Sequence, residues 1–366
     1  MARKLKSDRV LFIATLLLVG LSLVMVYSAS AVVAMERFGR PYFYLTKQAM
    51  WVALGMAILG LVMRVDYRTY RQPAFIWSAL VVVGVCLVAV LFSPPVNNAR
   101  RWFAVGGLGI QPSELAKLAA IFFIAALLER RMDRINELGY SLIPIGMVVA
   151  CFVGLILLEP DFGTSMSLVA IAAVMVFAAG LNYSYVLGAV LCGLPAVFFL
   201  VMGTTYRRQR VLSFLDPWSD PLGAGFQIIQ SLIAVGTGGV WGKGLMNGVQ
   251  KLFFLPEAHT DFIYSVISEE LGLIGATAVL ICFCVITWRG LLVSLSAPDR
   301  FGAFLALGLT TMVATQAFVN VSVVLGMMPT KGIPLPFVSN GGSSLLINLL
   351  GMGILLNVSQ HASSEA

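Results

Sequence analysis

Carboxylates are scarce in this chain, yet four of them crowd one stretch: Leu255-Pro-Glu-Ala-His-Thr-Asp-Phe-Ile-Tyr-Ser-Val-Ile-Ser-Glu-Glu-Leu-Gly272. A polar approach containing proline runs straight into an apolar helical pattern that carries Asp261, Glu269 and Glu270. Ionisable groups at or inside a membrane are expensive and mark functional candidates. If a helix starts near Asp261, then Ser265, Ser268 and Glu269 follow on roughly one face. At about 1.5 Å per residue, Glu269 lies about 12 Å deeper than Asp261. Asp261 then sits at the mouth of a cavity, where it acts as a general base or only stabilises the helix N-terminus. His259 beside it suggests a Ser-His-Asp hydrolase, but no G-x-S-x-G elbow accompanies the pair.

Other polar segments add cations and hydroxyls. Asn97-Asn-Ala-Arg-Arg-Trp-Phe103 offers Arg100 and Arg101 to a phosphate. Trp102 suits a sugar face or a membrane interface. In Gln111-Pro-Ser-Glu-Leu-Ala-Lys117, Glu114 and Lys117 share a helix face as an ion pair. Asp161, in Glu159-Pro-Asp-Phe-Gly-Thr164, is a turn residue or a second carboxylate of a site. Lys331 lies in Pro329-Thr-Lys-Gly-Ile-Pro-Leu-Pro-Phe337. It precedes Ser339-Asn-Gly-Gly-Ser-Ser344, whose glycines and serines, including Ser339 and Ser343, present backbone N–H groups to an anion. Val235-Gly-Thr-Gly-Gly-Val-Trp-Gly-Lys-Gly244 lacks the strand-to-helix setting of a nucleotide loop and reads as a compact, close-packed turn carrying Lys243.

The elements that position these groups are membrane spans. Of 366 residues, 59% are hydrophobic and only 11% charged, against about 25% charged in a soluble domain. The composition implies an all-α polytopic membrane protein in one domain, 1–366. At about 20 apolar residues per crossing, ten spans fit: roughly 10–34, 44–63, 73–92, 112–129, 141–158, 164–180, 183–203, 262–288, 301–326 and 342–358. Residues 204–261 form a large extracytoplasmic loop between the seventh and eighth spans. Loops on the N-terminal side, led by Arg3, Lys4, Lys6 and Arg9, carry roughly twice the Lys and Arg of the short loops opposite, which places both termini in the cytoplasm. Every chemically informative segment then faces out. The net charge of +7 reads as orientation, with no nucleic-acid partner. Five cysteines inside apolar runs and two histidines leave no metal-ligand spacing.

Taken together, Asn98-Ala-Arg-Arg-Trp102, Gln111-Pro-Ser-Glu-Leu-Ala-Lys117, Glu159-Pro-Asp-Phe-Gly-Thr164, Pro256-Glu-Ala-His-Thr-Asp-Phe262, Glu269-Glu-Leu-Gly272 and Pro329-Thr-Lys-Gly332 resemble the SEDS family (shape, elongation, division and sporulation) across nearly the whole chain. The Leu-Pro-Glu-Ala-His-Thr-Asp and Pro-Thr-Lys-Gly runs look more like its division members than its elongation members. Two positions depart from the pattern. Asn340 replaces a tyrosine before the paired glycines, and Gly109-Ile110 stands where some division members have a basic residue.

The resemblance implies a peptidoglycan glycosyltransferase of the bacterial cytoplasmic membrane, acting at the division septum. It would polymerise lipid II, a disaccharide-pentapeptide on undecaprenyl pyrophosphate, with Asp261 as the base. Arg100, Arg101, Lys117, Lys243, Lys331 or a divalent cation such as Mg or Mn would meet the pyrophosphate. Glu114, Asp161, His259, Ser339 and Ser343 complete the expected substrate site. Membrane lipid, a class B penicillin-binding protein and other division proteins are the implied partners. A lipid II flippase, a non-catalytic division scaffold and an elongation-type polymerase are the rival readings.

Overall fold

The computed structural model describes residues 7–95, 100–105 and 108–362. Asn97, Asn98 and Ala99 of the first basic motif lie outside them, as do Arg3, Lys4 and Lys6 of the charge bias. The chain folds into twelve α-helices among these residues: α1 (Arg9–Phe38), α2 (Phe43–Val62), α3 (Pro73–Val90), α4 (Pro112–Arg131), α5 (Ile143–Leu158), α6 (Phe162–Ala178), α7 (Tyr183–Met202), α8 (Thr205–Leu215), α9 (Phe226–Gly238), α10 (Ile263–Leu295), α11 (Arg300–Val324) and α12 (Gly342–Ser359). A short antiparallel hairpin, β1 (Phe103–Val105) with β2 (Leu108–Ile110), leads into α4.

Each expected span is a helix, and the chain is a multi-pass membrane protein. Eight helical segments are long and apolar enough to cross a bilayer. The other two, α4 and α6, fall short for physical reasons. α6 has only 17 residues. α4 carries Glu114, Lys117, Glu129, Arg130 and Arg131, and it survives in the interior because it is wrapped by α3, α6 and α11. α11 and α12 are buried along most of their length. α7 lies at the other extreme: none of its residues is buried, as expected of a helix surrounded by lipid.

Helix starts are set by local chemistry. Asp8, Asp161, Asn182 and Asp299 each accept a backbone N–H at the first turn of α1, α6, α7 and α11, the usual N-cap arrangement. The polar segments then gather at opposite ends of the bundle. At one end Asp8 pairs with Arg289 at 2.6 Å, Arg71 with Glu129 at 2.9 Å, and Arg300 with Asp133 at 3.1 Å. At the other end lie 100–105, 108–111, 159–161, 204–261 and 328–341, within the segments expected to carry chemistry.

The 204–261 segment is more ordered than a loop. α9 packs on α10 through Ile228, Ile229, Ser231 and Ala234. α10 breaks at Gly272, where φ is +66° and ψ is −165°. The glycine-rich turn fills the break. Lys243 and Gly244 donate their N–H groups to the carbonyls of Glu269 and Glu270 at 2.9 and 3.0 Å. Leu273 and Ile274 donate to the carbonyls of Gly239 and Val240 at 2.9 and 3.3 Å. Backbone touches backbone here: a Cβ on Gly272 would lie 2.3 Å from the nitrogen of Gly242, and one on Gly242 would lie 2.2 Å from the carbonyl oxygen of Glu270.

Gly272→Ala therefore meets both a backbone conformation almost confined to glycine, costing about 1–3 kcal/mol by itself, and a backbone collision. Its melting temperature in detergent is expected to fall well below wild type. An unchanged melting temperature would show that the turn does not depend on this contact.

Candidate active site

Asp261 lies just ahead of α10, not within it. Phe262 occupies the N-cap position, and no side chain caps this helix. The carboxylate of Asp261 therefore does not cap the helix through a hydrogen bond, and it accepts none among the described residues. Its backbone is held firmly. Asn320, on α11, donates its amide Nδ2 to the carbonyls of Asp261 and Ile333, each at 2.7 Å. Ser339 donates its hydroxyl to the carbonyl of Thr260 at 2.6 Å while accepting the N–H of Leu335 at 2.8 Å. Asn340 donates its N–H to the carbonyl of His259 at 3.0 Å. The Asp261 and Lys331 segments are thereby stitched edge to edge. Gly332 is exposed and faces the carboxylate: a Cβ there would lie 2.7 Å from Asp261 Oδ2.

Burial pushes the Asp261 carboxyl up to about 7, with help from the Glu257 and Asp161 carboxylates and against Arg210 and Arg101. Desolvation disfavours the charged form, so such a group titrates near neutrality. Glu257 itself sits at φ +54°, a left-handed conformation uncommon for a residue with a side chain. Burial also lowers Lys331 to about 8, opposed by the Asp161 carboxylate.

Around this carboxylate the cations are arranged on elements far apart in sequence. Lys331 Nζ sits 4.2 Å from the centre of the Phe162 ring, with the Arg207 guanidinium 5.6 Å from the same centre. Arg210 donates to the carbonyl of Thr330 at 2.9 Å. Arg101 donates to the carbonyls of Glu159 and Pro160 at 2.9 and 2.6 Å, closing the α5–α6 hairpin. Asp161 caps α6 through Thr164 and accepts from Gln111 at 2.9 Å. Its turn role and its place near Asp261 thus coexist. Arg100 turns away, to the carbonyl of Leu91 at 3.0 Å. Trp102 lies against Gly109, where a Cβ would come within 3.1 Å of the indole. A side chain at Gly109 would have to push the indole aside.

Several expected site residues are otherwise engaged. Lys243 does not join the Asp261 cleft: it pairs at 2.7 Å with Glu269, whose fully buried carboxylate needs a counter-charge. Glu269 also accepts the N–H groups of Val249 and Gln250, so it is structural. Ser265 and Ser268 do not line a path below Asp261; they bond to Ser231 and to the carbonyl of Tyr264. His259 forms no hydrogen bond with Asp261 among the described residues. Its ring packs on Tyr44 at 4.6 Å, and burial lowers its proton affinity. The Ser339 hydroxyl is consumed by backbone, and Ser343 Oγ is buried without a partner. Sequence reasoning missed Arg207, Arg210, Phe162 and Asn320, which reach the site only through the tertiary fold. The hint for the arginines was their position at the start of the long outer segment.

Glu114 and Lys117 form an ion pair at 2.8 Å, with side chains only 5% and 1% exposed. No group of three His, Cys, Asp or Glu among the described residues is placed to hold a metal ion. A divalent cation held by one or two carboxylates and the substrate's own phosphates needs no such group. Removing either partner of the Glu114–Lys117 pair strands a buried charge, at about 3–5 kcal/mol. Glu114→Gln and Lys117→Met are each expected to lower the melting temperature, and the double variant to recover most of it. Single variants that melt like wild type but lose activity would instead place the pair in substrate binding.

A family model described as "Cell cycle protein" (FtsW, RodA, SpoVE) matches residues 8–364. A probable peptidoglycan glycosyltransferase FtsW from Geobacter sp. (strain M18) is 43% identical over 98% of both chains. Stage V sporulation protein E of Bacillus subtilis is 43% identical over 98% of this chain and 99% of its own. A chain from a peptidoglycan synthase complex, solved to describe how polymerisation and crosslinking are coordinated, superposes with a TM-score of 0.80 at 30% identity, covering 98% of this chain and 99% of that one. The rod shape determining protein RodA of Thermus thermophilus gives a TM-score of 0.72 at 27% identity, over 98% of each. This chain belongs to the FtsW/RodA/SpoVE family of cell cycle proteins.

Proposed function

We propose that this protein is a peptidoglycan glycosyltransferase that polymerises lipid II on the outer face of the bacterial cytoplasmic membrane, at the division septum. The observation that carries the reading is Asp261: a half-buried carboxylate that accepts no hydrogen bond among the described residues, is clamped through its backbone by Asn320, and feels Arg210 and Arg101 from two separate segments. In the reaction an acceptor sugar hydroxyl attacks the anomeric carbon of the donor. The hydroxyl proton passes to Asp261. The bond from the anomeric carbon to the phosphate oxygen breaks, and its electrons leave with the undecaprenyl pyrophosphate. Lys331, Arg207, Arg210 and Arg101 supply positive charge for that leaving group.

The lipid tail needs an apolar approach. α8 supports one through its inside-out character. Arg207 and Arg210 turn toward Phe162 and Thr330, while Leu212 and Leu215 are exposed on the other side. α7, with no buried residue, adjoins it. A class B penicillin-binding protein is the proposed partner, with other division proteins around it, and both termini are proposed to be cytoplasmic. A flippase would spread polar chemistry across mid-membrane and both faces. A scaffold would not need an unpaired carboxylate.

The test is glycan chain formation from lipid II by the purified protein with its partner transpeptidase. Asp261→Asn keeps size and loses the proton acceptor, so the rate is expected to fall about 10²–10⁴-fold. Asp261→Glu recovers little, because the carboxylate moves by a methylene in a geometry-dependent step. The base works only when ionised and its carboxyl titrates at about 7. The rate therefore rises with pH through that value and falls about tenfold per unit well below it. Wild-type polymerisation by Asp261→Asn would place the base elsewhere. Depletion in cells is expected to give filaments; normal septation with failed sporulation would assign the sporulation role instead.

A further inference from the structure

We propose that Asn320 is the positioning residue of the base: its amide holds Asp261 and the Lys331–Gly332 segment in one frame. This inference rests on Asp261 being the base. Asn320 lies near the end of α11, 2% exposed. Its amide has two N–H donors, and the two acceptors at 2.7 Å are both main-chain carbonyls of the site. One belongs to Asp261 itself and the other to Ile333, the residue after Gly332. The amide orientation is fixed, since the flipped group would set Oδ1 against two carbonyl oxygens.

Oδ1 is left buried with no partner. A buried polar atom without a bond is unusual and calls for a reason. Here the reason is the demand for two donors at one point, which Asn supplies and Asp, Leu or Ala does not. The helix beneath is rigid and buried, so the clamp refers both segments to one fixed body. The carboxylate of Asp261 stays beside Gly332, where the missing side chain leaves room for an acceptor hydroxyl. Ser339 and Asn340 join the same two segments, but they bond Thr260 and His259. Among the described residues, only the Asn320 side chain bonds to the backbone of the base.

The experiment measures lipid II polymerisation by full-length protein with its partner transpeptidase, for Asn320→Ala, Asn320→Asp, Asp261→Asn and the double variant Asp261→Asn with Asn320→Asp. Displacing a reacting group by about 1 Å costs on the order of 10²-fold. The expected result is kcat lowered about 10–100-fold in both Asn320 variants, with KM for lipid II changed less than about threefold, a pure rate effect. The double variant is expected to be no slower than Asp261→Asn alone, because both act through one group. Melting temperature and elution from a sizing column establish that the variants fold.

Wild-type kcat in folded Asn320 variants overturns the proposal, as does a loss expressed in KM or additive with Asp261→Asn. If both Asn320 variants fail to fold, the residue is structural and the proposal also falls. Full activity in Asp261→Asn would instead overturn the base assignment itself, whatever the Asn320 variants do.

Discussion

Two adjacent carboxylates buried inside a membrane protein dictate much of this architecture. Glu269 and Glu270 are both fully buried in α10. Removing an ion from water costs several kcal/mol even after relaxation, so each must be met from every side. Glu269 takes Lys243 and two backbone N–H groups. Glu270 takes Lys251 at 2.5 Å, the hydroxyl of Ser28 on α1, and the N–H of Met246. The whole 243–251 run is thereby folded onto the helix, with α1 tied to the same point. Gly238, Gly242 and Gly272 let the backbones meet, and the chain that emerges after Lys251 is delivered to Asp261.

Asp261 is treated in the opposite way. Each glutamate accepts several donors, whereas among the described residues the Asp261 side chain accepts none and does not cap α10. Burial, with help from the Glu257 carboxylate, pushes its carboxyl up to about 7, which suits the proposed role of taking a proton near neutral pH. The glutamates of α10 are held by donors on several sides, while the carboxylate proposed as the base is left open; Glu159, fully buried with neither oxygen hydrogen-bonded among the described residues, is a second carboxylate left open. The non-glycine left-handed backbone at Glu257 lies in the approach to Asp261, and such outliers cluster where function constrains geometry.

The spans were legible because hydropathy and length decide a crossing, and α1, α2, α3 and α12 needed nothing else. Asp261 was legible because a carboxylate at the edge of an apolar helix stands out. α9 was not: its 13 residues are too few for a crossing, and its helical character depends on packing against α10. Lys243 and Lys331 look alike in sequence, each beside a glycine on the same face. Only the tertiary fold gives one to Glu269 and sets the other on Phe162. Arg210 and Asn320 were invisible for the same reason, since their partners Thr330, Asp261 and Ile333 lie far away or are backbone carbonyls. The contact of Trp102 with Gly109 likewise shows only in the fold.

The central claim is that Asp261 faces the acceptor hydroxyl while the cations beside Phe162 face the pyrophosphate. A structure of the protein with a non-hydrolysable lipid II analogue in its donor and acceptor sites tests it most directly. The account predicts the acceptor hydroxyl oxygen about 2.6–3.2 Å from an Asp261 carboxylate oxygen, the range for proton transfer. It also predicts the pyrophosphate in contact with Lys331 and with Arg207 or Arg210. A sugar bound at the opposite end of the bundle, near Asp8 and Arg289, or an acceptor hydroxyl with no carboxylate in reach, would contradict it.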